Sequence, residues 1–338
     1  MSSWLPSFSH IYVEEEARSI ARTADIIKRF PRAEVISIGR YREVFARSRQ
    51  DFALQKRSMK LILAVKKEGL VYPGSTNAQD FGYPNFHYNS LILNCLYDCD
   101  YCYLQGMYPS ANIVLFVNLE DFFTAARESI ETRPDLSSPL YLAISYDTDL
   151  LGFETIVPYC REWIEFTREE EDLLIEIRTK SAHLNALDGI RPHPRAVLAW
   201  TLSPPAVAEK YEKLAPTVER RIEAASRALA QGWEVRLCFD PVIPVPGWRD
   251  IYREFFAETF ATLSPEAIRD ASIGVFRMNG EYFSRLKKIR PDSDLPFQTY
   301  EREGKTVTLP HARRLEITAD IESQLRVYIP QEKIAVWT

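Results

Sequence analysis

From about Phe86 onward, apolar runs of strand length alternate with stretches whose apolar residues recur every three or four positions, the signature of βα units and a parallel sheet. The pattern predicts strands at His87–Leu93, Leu140–Ser145, Leu173–Lys180, Ala196–Leu202, Glu234–Pro241 and Ala271–Arg277. Between them it predicts helices beginning at Asn118, at Thr155–Thr167, near His183–Leu187, at Val218–Gln231 and at Trp248–Leu263. Asn118 and Asp121 make a capping pair for the first, whose Phe122, Ala125, Ala126 and Ile130 share one face. The helix from Val218 carries Val218, Ile222, Ala225 and Leu229 on one face and stops at Gly232. Six βα units are about three quarters of a (β/α)8 barrel. The expected fold class is therefore α/β, a partial (β/α)6 TIM-type barrel over residues 81–290 whose incomplete wall leaves a lateral opening.

Residues 1–80 read as a small N-terminal α/β region, with strands at Ile11–Val13, Glu34–Ile38 and Lys60–Val65 and a helix at Arg18–Phe30. Residues 291–338 read as a C-terminal extension: a β-hairpin pairing Phe297–Tyr300 with Thr306–Leu309 across Glu303-Gly304-Lys305, then a helix and a last strand at Ile334–Trp337.

Composition acts mainly by exclusion. The chain has 338 residues, 46% hydrophobic and 26% charged, which is ordinary for a globular enzyme. No stretch approaches the ~18–20 apolar residues of a membrane span, and Met1-Ser2-Ser3-Trp4-Leu5-Pro6 lacks a basic then apolar signal. A cytoplasmic monomer away from membranes is expected. A net charge of −5 argues against coating nucleic acid non-specifically, a mode that draws its affinity from phosphate neutralisation. A local basic run remains: Arg285, Lys287, Lys288, Arg290, Arg302, Lys305, His311, Arg313 and Arg314, interleaved with Phe283, Phe297 and Tyr300. It reads as a solvated charged surface or as a DNA face, with Arg302, Lys305, Arg313 and Arg314 the candidate contacts.

The candidate chemistry lies in one loop. Cys95, Cys99 and Cys102 stand in the spacing C-x3-C-x2-C, directly after the first predicted strand, where barrels carry catalytic groups. Three thiolates can hold three irons of a 4Fe-4S cluster and leave the fourth without a protein ligand, since such clusters normally take four cysteines. A structural zinc would want a fourth soft ligand, and the nearby candidate, His87, lies upstream in a strand-like stretch. Disulfides fit poorly with five cysteines and a reducing cytoplasm. Cys160 and Cys238, each in an apolar context, read as small buried side chains.

Alternation along the strands groups Glu176, Arg178 and Lys180 on one face, Ala199, Thr201 and Ser203 on another strand, and Arg236, Cys238 and Asp240 on a third. A lumen lined by an acid and two bases suits a polar cofactor, so Glu176, Arg178 and Lys180 are expected to face inward, while any one residue of the three sets reads alternatively as a surface or salt-bridge residue. After the second strand, Ser145-Tyr146-Asp147-Thr148-Asp149 is dense in hydrogen-bonding groups. Asp147 and Asp149 read equally as ligand contacts or as initiators of the following turn.

The cysteine loop resembles that of the radical S-adenosyl-L-methionine (SAM) superfamily, in which the open iron chelates the methionyl end of SAM and reductive cleavage gives a 5′-deoxyadenosyl radical. The context Cys99-Asp100-Tyr101-Cys102-Tyr103-Leu104-Gln105 resembles the spore photoproduct lyases, which repair a thymine–thymine adduct in DNA. The likeness continues through Lys60–Lys66, Phe116-Val117-Asn118-Leu119-Glu120, Asp149-Leu150-Leu151-Gly152, Arg178-Thr179-Lys180, Glu219-Arg220-Arg221-Ile222-Glu223-Ala224-Ala225, Pro241-Val242-Ile243-Pro244, Gly247-Trp248 and Tyr252. The resemblance implies a partial barrel, a cluster on Cys95, Cys99 and Cys102, and SAM in the lumen near Lys180, Thr201, Ser203 and Asp147. It implies a C-terminal hairpin wedged into DNA while the lesion is flipped out, and an electron donor such as flavodoxin or ferredoxin. The radical-relaying tyrosines of the family fall at Tyr101 and Tyr103. The family's hydrogen-donating cysteine falls at Tyr146, so either Tyr146 takes over as donor or the chain is a paralogue acting on RNA, a peptide or a small molecule. A rival of another class is a non-catalytic iron–sulfur or zinc protein that binds nucleic acid.

Overall fold

The computed structural model describes residues 6–75 and 78–337, so the N-terminal stretch Met1–Leu5 lies outside the described residues. Six parallel strands run side by side in chain order: β1 (Phe86–Tyr88), β2 (Leu140–Ala143), β3 (Leu173–Thr179), β4 (Ala196–Thr201), β5 (Glu234–Val242) and β6 (Asp270–Val275). Ile334–Trp337 adds a parallel strand beside β6, and Tyr72–Pro73 adds an antiparallel one beside β1. The sheet therefore keeps two edges, and β1 to β6 form the partial (β/α)6 barrel read from the pattern, with Ile334–Trp337 a seventh parallel strand at one edge. Helices Leu119–Glu131, Tyr159–Glu169, Val218–Gln231, Trp248–Thr262 and His311–Leu325 supply the intervening units. After β3 the helix shrinks to the single turn Leu184–Leu187. No helix of the described residues is long and apolar enough to cross a membrane.

A second, five-stranded sheet has the order Glu34–Ile38, His10–Glu14, Leu61–Ala64, Ile113–Phe116, Ile92–Leu93. It shares one continuous apolar core with the barrel, running from Phe8 through Leu63 and Trp163 to Ile329.

Several boundaries differ from the sequence expectation, each for a local reason. His87–Leu93 is not one strand. The chain leaves the barrel after Tyr88, turns at Asn89 and Ser90, and Ile92–Leu93 pairs antiparallel with Val114 and Leu115 in the other sheet. The strand Ile113–Phe116 that receives it, and the helices Pro205–Tyr211 and Gly280–Ile289, lie outside what the pattern predicts. The helix expected at Thr155 starts at Tyr159 instead, because Pro158 lacks the N–H an interior position needs and serves as the cap. The helix expected at Arg18–Phe30 contracts to Ala21–Lys28 behind the short turn Glu15–Ala17. In the hairpin, Glu301–Glu303 pairs with Thr306–Thr308, while Pro296 keeps Leu295–Phe297 in a helical turn. Asn118 heads its helix without capping it: its amide donates to Asp121 at 2.6 Å and to the Lys66 carbonyl at 2.8 Å.

Candidate metal centre and barrel lumen

The cysteine loop is folded by its own polar residues. Asn94 holds a left-handed backbone (φ +71°), a conformation Asn tolerates better than most residues, and its amide donates to the carbonyls of Ser110 (2.7 Å) and Asn112 (2.8 Å). The Cys102 N–H closes a turn onto the Cys99 carbonyl at 3.1 Å, and the Gln105 amide donates to the same carbonyl at 2.7 Å. Arg290 donates to Gln105 Oε1 at 2.5 Å and forks onto Asp98, tying the loop to the helix Gly280–Ile289. Asp98 and Cys99 also pair antiparallel with Glu212 and Lys213.

Cys95, Cys99 and Cys102 line one cavity, with Phe52, Lys56 and Tyr97 among its other walls. Burial pushes the Cys95 and Cys102 thiols up to about 11 and the Cys99 thiol up to about 12. Asp98 is the carboxylate there, and it is committed to Arg290. Among the described residues no three His, Cys, Asp or Glu side chains converge on one ion. Three thiols on one cavity whose lining, among the described residues, holds no histidine and no further cysteine fit a 4Fe-4S cluster, each taking one iron, better than a four-coordinate zinc. His87 is not among the residues that line this cavity; it sits on β1, its Nδ1 3.1 Å from the Asn85 carbonyl oxygen.

Beside Cys99 sits a buried polar cluster. The Lys180 ammonium lies 5.3 Å from the centre of the Tyr101 ring. The Tyr101 hydroxyl donates to Glu212, and Arg221 pairs with Glu212 at 2.5 Å. Burial works against the Glu212 carboxylate, but Lys180 and Arg221 outweigh it and hold the group below its ordinary range. The Ser203 hydroxyl donates to Glu212 at 3.3 Å, and the Thr201 carbonyl accepts from Arg221 at 3.4 Å. Tyr101, Lys180 and Ser203 are thus brought together around Glu212, with Thr201 buried at its edge.

On the other side of the loop, the Tyr103 hydroxyl lies 2.7 Å from the Tyr146 carbonyl oxygen and 3.0 Å from Asp147 Oδ1. Ser90 and Tyr108 donate to Asp147 Oδ2, at 2.5 and 3.1 Å. Burial still raises the Asp147 carboxyl above its ordinary value, against those three hydrogen bonds. The Tyr146 ring stacks on Tyr88 at 4.0 Å and lies 6.0 Å from Tyr103. Asp149 takes the structural role: it caps Leu150–Phe153 and accepts from Gly152 N (3.0 Å), Thr179 Oγ1 (2.7 Å) and Lys180 N (2.5 Å).

Strand parity places the expected polar sets on one wall. Arg178 registers with Ala199 and Ala199 with Arg236, and Thr201 registers with Cys238. Glu176 meets Arg236 at 2.6 Å and Arg178 at 3.0 Å, and Arg236 also takes Asp270. Higher on the wall Asp240 is paired with Arg277 at 3.0 Å.

Of the basic run, Arg302 and Lys305 are exposed on the hairpin. Arg313 pairs with Glu316 at 2.6 Å and lies over the Trp248 ring. Arg314 is buried on the same helix face as Ile317 and Ile321 and forks onto Glu303, so it faces protein rather than solvent. Arg290 is likewise turned inward to Asp98. The basic face contracts to Arg302 and Lys305 with the exposed Arg285, Lys287 and Lys288.

Glu212, Lys56, Tyr88 and Tyr108 escape a reading of the sequence. Glu212 sits in Lys210-Tyr211-Glu212-Lys213, a charged stretch with no strand or helix signal of its own, and reaches the cysteine loop through the two-residue pairing with Asp98 and Cys99 and the hydrogen bond from Tyr101.

A family model described as "Spore photoproduct lyase" matches residues 8–336. The spore photoproduct lyase of Clostridium acetobutylicum is 26% identical over 219 residues, 64% of this chain and 63% of that protein. The one from Bacillus subtilis is 21% identical over 296 residues, 82% of each chain. The alignment with the Clostridium protein thus spans less than two thirds of that relative's length. A solved spore photoproduct lyase variant with bound AdoMet and dinucleoside spore photoproduct matches with TM-score 0.83 at 18% identity, over 97% of this chain and 98% of that one. A complex of the enzyme with dinucleoside spore photoproduct matches at 0.82, with the same coverage and identity.

Proposed function

We propose a function from one premise: the chain belongs to the spore photoproduct lyase family. It acts as a radical SAM lyase that reverses a thymine lesion in DNA. The observation that carries this reading is a cavity walled by Cys95, Cys99 and Cys102 with Tyr101 and Lys180 packed beside Cys99. A 4Fe-4S cluster held by those three thiolates supplies, when bound with SAM, the reductive cleavage that yields a 5′-deoxyadenosyl radical. Lys180, paired electrostatically with Glu212 and backed by Thr201 and Ser203, holds a polar cofactor at the strand ends, and Asp147 shapes the opposite side. An exogenous one-electron donor of the flavodoxin or ferredoxin type completes the system, and the chain works as a cytoplasmic monomer.

Once the lesion has lost a hydrogen atom and fragmented, its carbon radical must regain one. Tyr146 fills that role by giving its phenolic hydrogen atom, forming the product C–H bond and leaving a tyrosyl radical. Tyr103, 6.0 Å away ring to ring, re-reduces it by one electron and passes its own proton to Asp147, 3.0 Å from its hydroxyl, while the Tyr146 phenolate takes a proton from water. Tyr101, whose hydroxyl donates to Glu212, stands next in the relay; each tyrosine reclaims its proton from the carboxylate that held it, and the exogenous one-electron donor quenches the last tyrosyl radical.

The test is a product assay on ultraviolet-irradiated oligonucleotides with anaerobically reconstituted protein, SAM and dithionite. Tyr146→Phe is expected to keep SAM cleavage while losing most of the repaired thymine to trapped by-products, and Tyr146→Cys to restore clean repair. Equal repair by Tyr146→Phe would remove Tyr146 as donor. No action on any thymine lesion by parent or Tyr146→Cys would favour the paralogue, a reading that the tyrosine at this position already supports.

The hairpin gives a separate expectation. Arg302→Glu with Lys305→Glu should weaken duplex binding and flatten its salt dependence by about 0.9 log units per log salt for each phosphate no longer neutralised. An unchanged slope would show that the hairpin does not touch phosphate.

A further inference from the structure

A cluster on Cys95, Cys99 and Cys102 must take its electron from outside, and one wall of the cysteine cavity belongs to a strongly basic segment. Residues 40–60 hold seven basic residues (Arg40, Arg42, Arg47, Arg49, Lys56, Arg57, Lys60) against Glu43 and Asp51, in a chain of net charge −5. Arg40, Arg42, Arg47, Arg49 and Arg57 are exposed, and none forms an ion pair among the described residues. Arg220, Arg227 and Arg302 are likewise exposed without an ion pair, but no other stretch of this length among the described residues gathers five such arginines. Arg47 donates to the Glu43 carbonyl at 2.7 Å and Arg42 touches Tyr41, but five guanidinium groups on one short segment, none paired with a carboxylate among the described residues, leave a positive field.

The underside of this segment is built onto the cysteine loop. Phe52 and Lys56, from the turn of helix Phe52–Lys56, line the cavity, and the Lys56 ammonium donates to the Cys95 carbonyl. Gln55 Oε1 accepts from Ser110 Oγ and Ala111 N, both at 3.0 Å, and Phe45 packs edge-on against Tyr108 at 5.4 Å. The outer side carries Leu54, which is 65% exposed. On the other flank of the loop, Leu214 follows the strand paired with Cys99 and is 64% exposed, with a left-handed backbone (φ +64°) that a leucine adopts only at a cost.

We propose that this basic segment, together with the exposed Leu54, docks an acidic flavin-hydroquinone protein that reduces the cluster. The inference rests on the cluster reading above. In the step, the donor's flavin hydroquinone loses one electron and one proton to become the neutral semiquinone; the proton goes to water and the 4Fe-4S cluster goes from 2+ to 1+. Unpaired arginines steer an acidic partner, and an exposed leucine gives the contact an apolar element that a phosphate backbone would not use. The surface also lies one short helix from the thiols, whereas the exposed basic residues of the hairpin stand on a separate element.

The test uses full-length protein and an acidic flavodoxin. Arg47→Glu/Arg49→Glu/Arg57→Glu should raise the flavodoxin Kd at least about tenfold at low salt, and the gap should close near 1 M salt, where the Debye length falls to about 3 Å. Leu54→Asp should weaken binding with the salt slope kept. Reduction of the reconstituted cluster by flavodoxin hydroquinone, followed by electron paramagnetic resonance, should slow in step with Kd, while reduction by dithionite stays at the parent rate. Binding is read with or without a cluster, so failure of the cluster reading (no iron assembled, which would overturn this proposal with it) and failure of docking alone (iron assembled, no flavodoxin bound) are told apart. Parent protein that does not bind flavodoxin at low salt, a charge-reversed variant that binds like the parent, or one that loses duplex DNA affinity alone would overturn the proposal.

Discussion

Replacing Cys95, Cys99 and Cys102 together with Ala is expected to take bound iron and sulfide from about four each per chain to background, and SAM cleavage with them. The expectation comes from geometry as much as spacing: the three thiols wall one cavity and Asp98, the carboxylate nearby, is held by Arg290. Each single Ala variant should lose most of the cluster, because a cube left with two protein ligands has two irons open to exchange. The fold should survive, since the loop is held by Asn94, Gln105 and Arg290 rather than by the cysteines. Iron, sulfide and zinc content with a far-ultraviolet spectrum decide the matter. Zinc in the parent, or iron retained by the triple variant, would end the cluster reading.

How far the site is legible in the sequence depends on whether its partners are close along the chain. Local rules serve well where one element decides: Val218–Gln231 with its Gly232 stop, Glu34–Ile38 and Ile334–Trp337 have the bounds that pattern assigns them. Parity does the same for the lumen, putting Glu176, Arg178 and Arg236 on one wall. The first strand fails because its apolar pattern is continuous while its hydrogen bonding is not. Asn89 and Ser90 release Ile92 and Leu93 to a different sheet, and only the distant strand Ile113–Phe116 explains why. Lys56 and Glu212 touch the cysteine loop across 39 and 111 residues of chain, the latter through Tyr101, so no window on the sequence could join them. Arg314 looks like a surface cation on charge alone; its helix turns that position inward onto Glu303.

The floor of the lumen should be the most sensitive part of the fold to a single substitution. Glu176 is buried and takes Arg236 at 2.6 Å, Arg178 at 3.0 Å and the Tyr141 hydroxyl at 2.5 Å. Arg236 is itself 1% exposed, sits over the Phe81 ring at 3.3 Å and shares Asp270. Burial alone would raise the Glu176 carboxyl, but Arg178 and Arg236 overcome it and hold the group below its ordinary value. The sign follows: a depressed carboxylate contributes stability that is present above its unfolded pKa and is lost as pH falls through the folded one, so the floor weakens in acid. Glu176→Ala takes from Arg178 its carboxylate and leaves the buried Arg236 with Asp270 alone, so the cost should fall at or below the lower end of the about 3–5 kcal/mol typical of a broken buried pair. Glu176→Gln keeps the shape and an acceptor for one arginine, so it should cost less, and it should flatten the acid side of the stability curve. Urea unfolding of both variants across pH 4 to 8 measures the two effects together. If Glu176→Ala unfolds with the parent's midpoint, water reaches Arg178 and Arg236 and the lumen floor is solvated rather than closed.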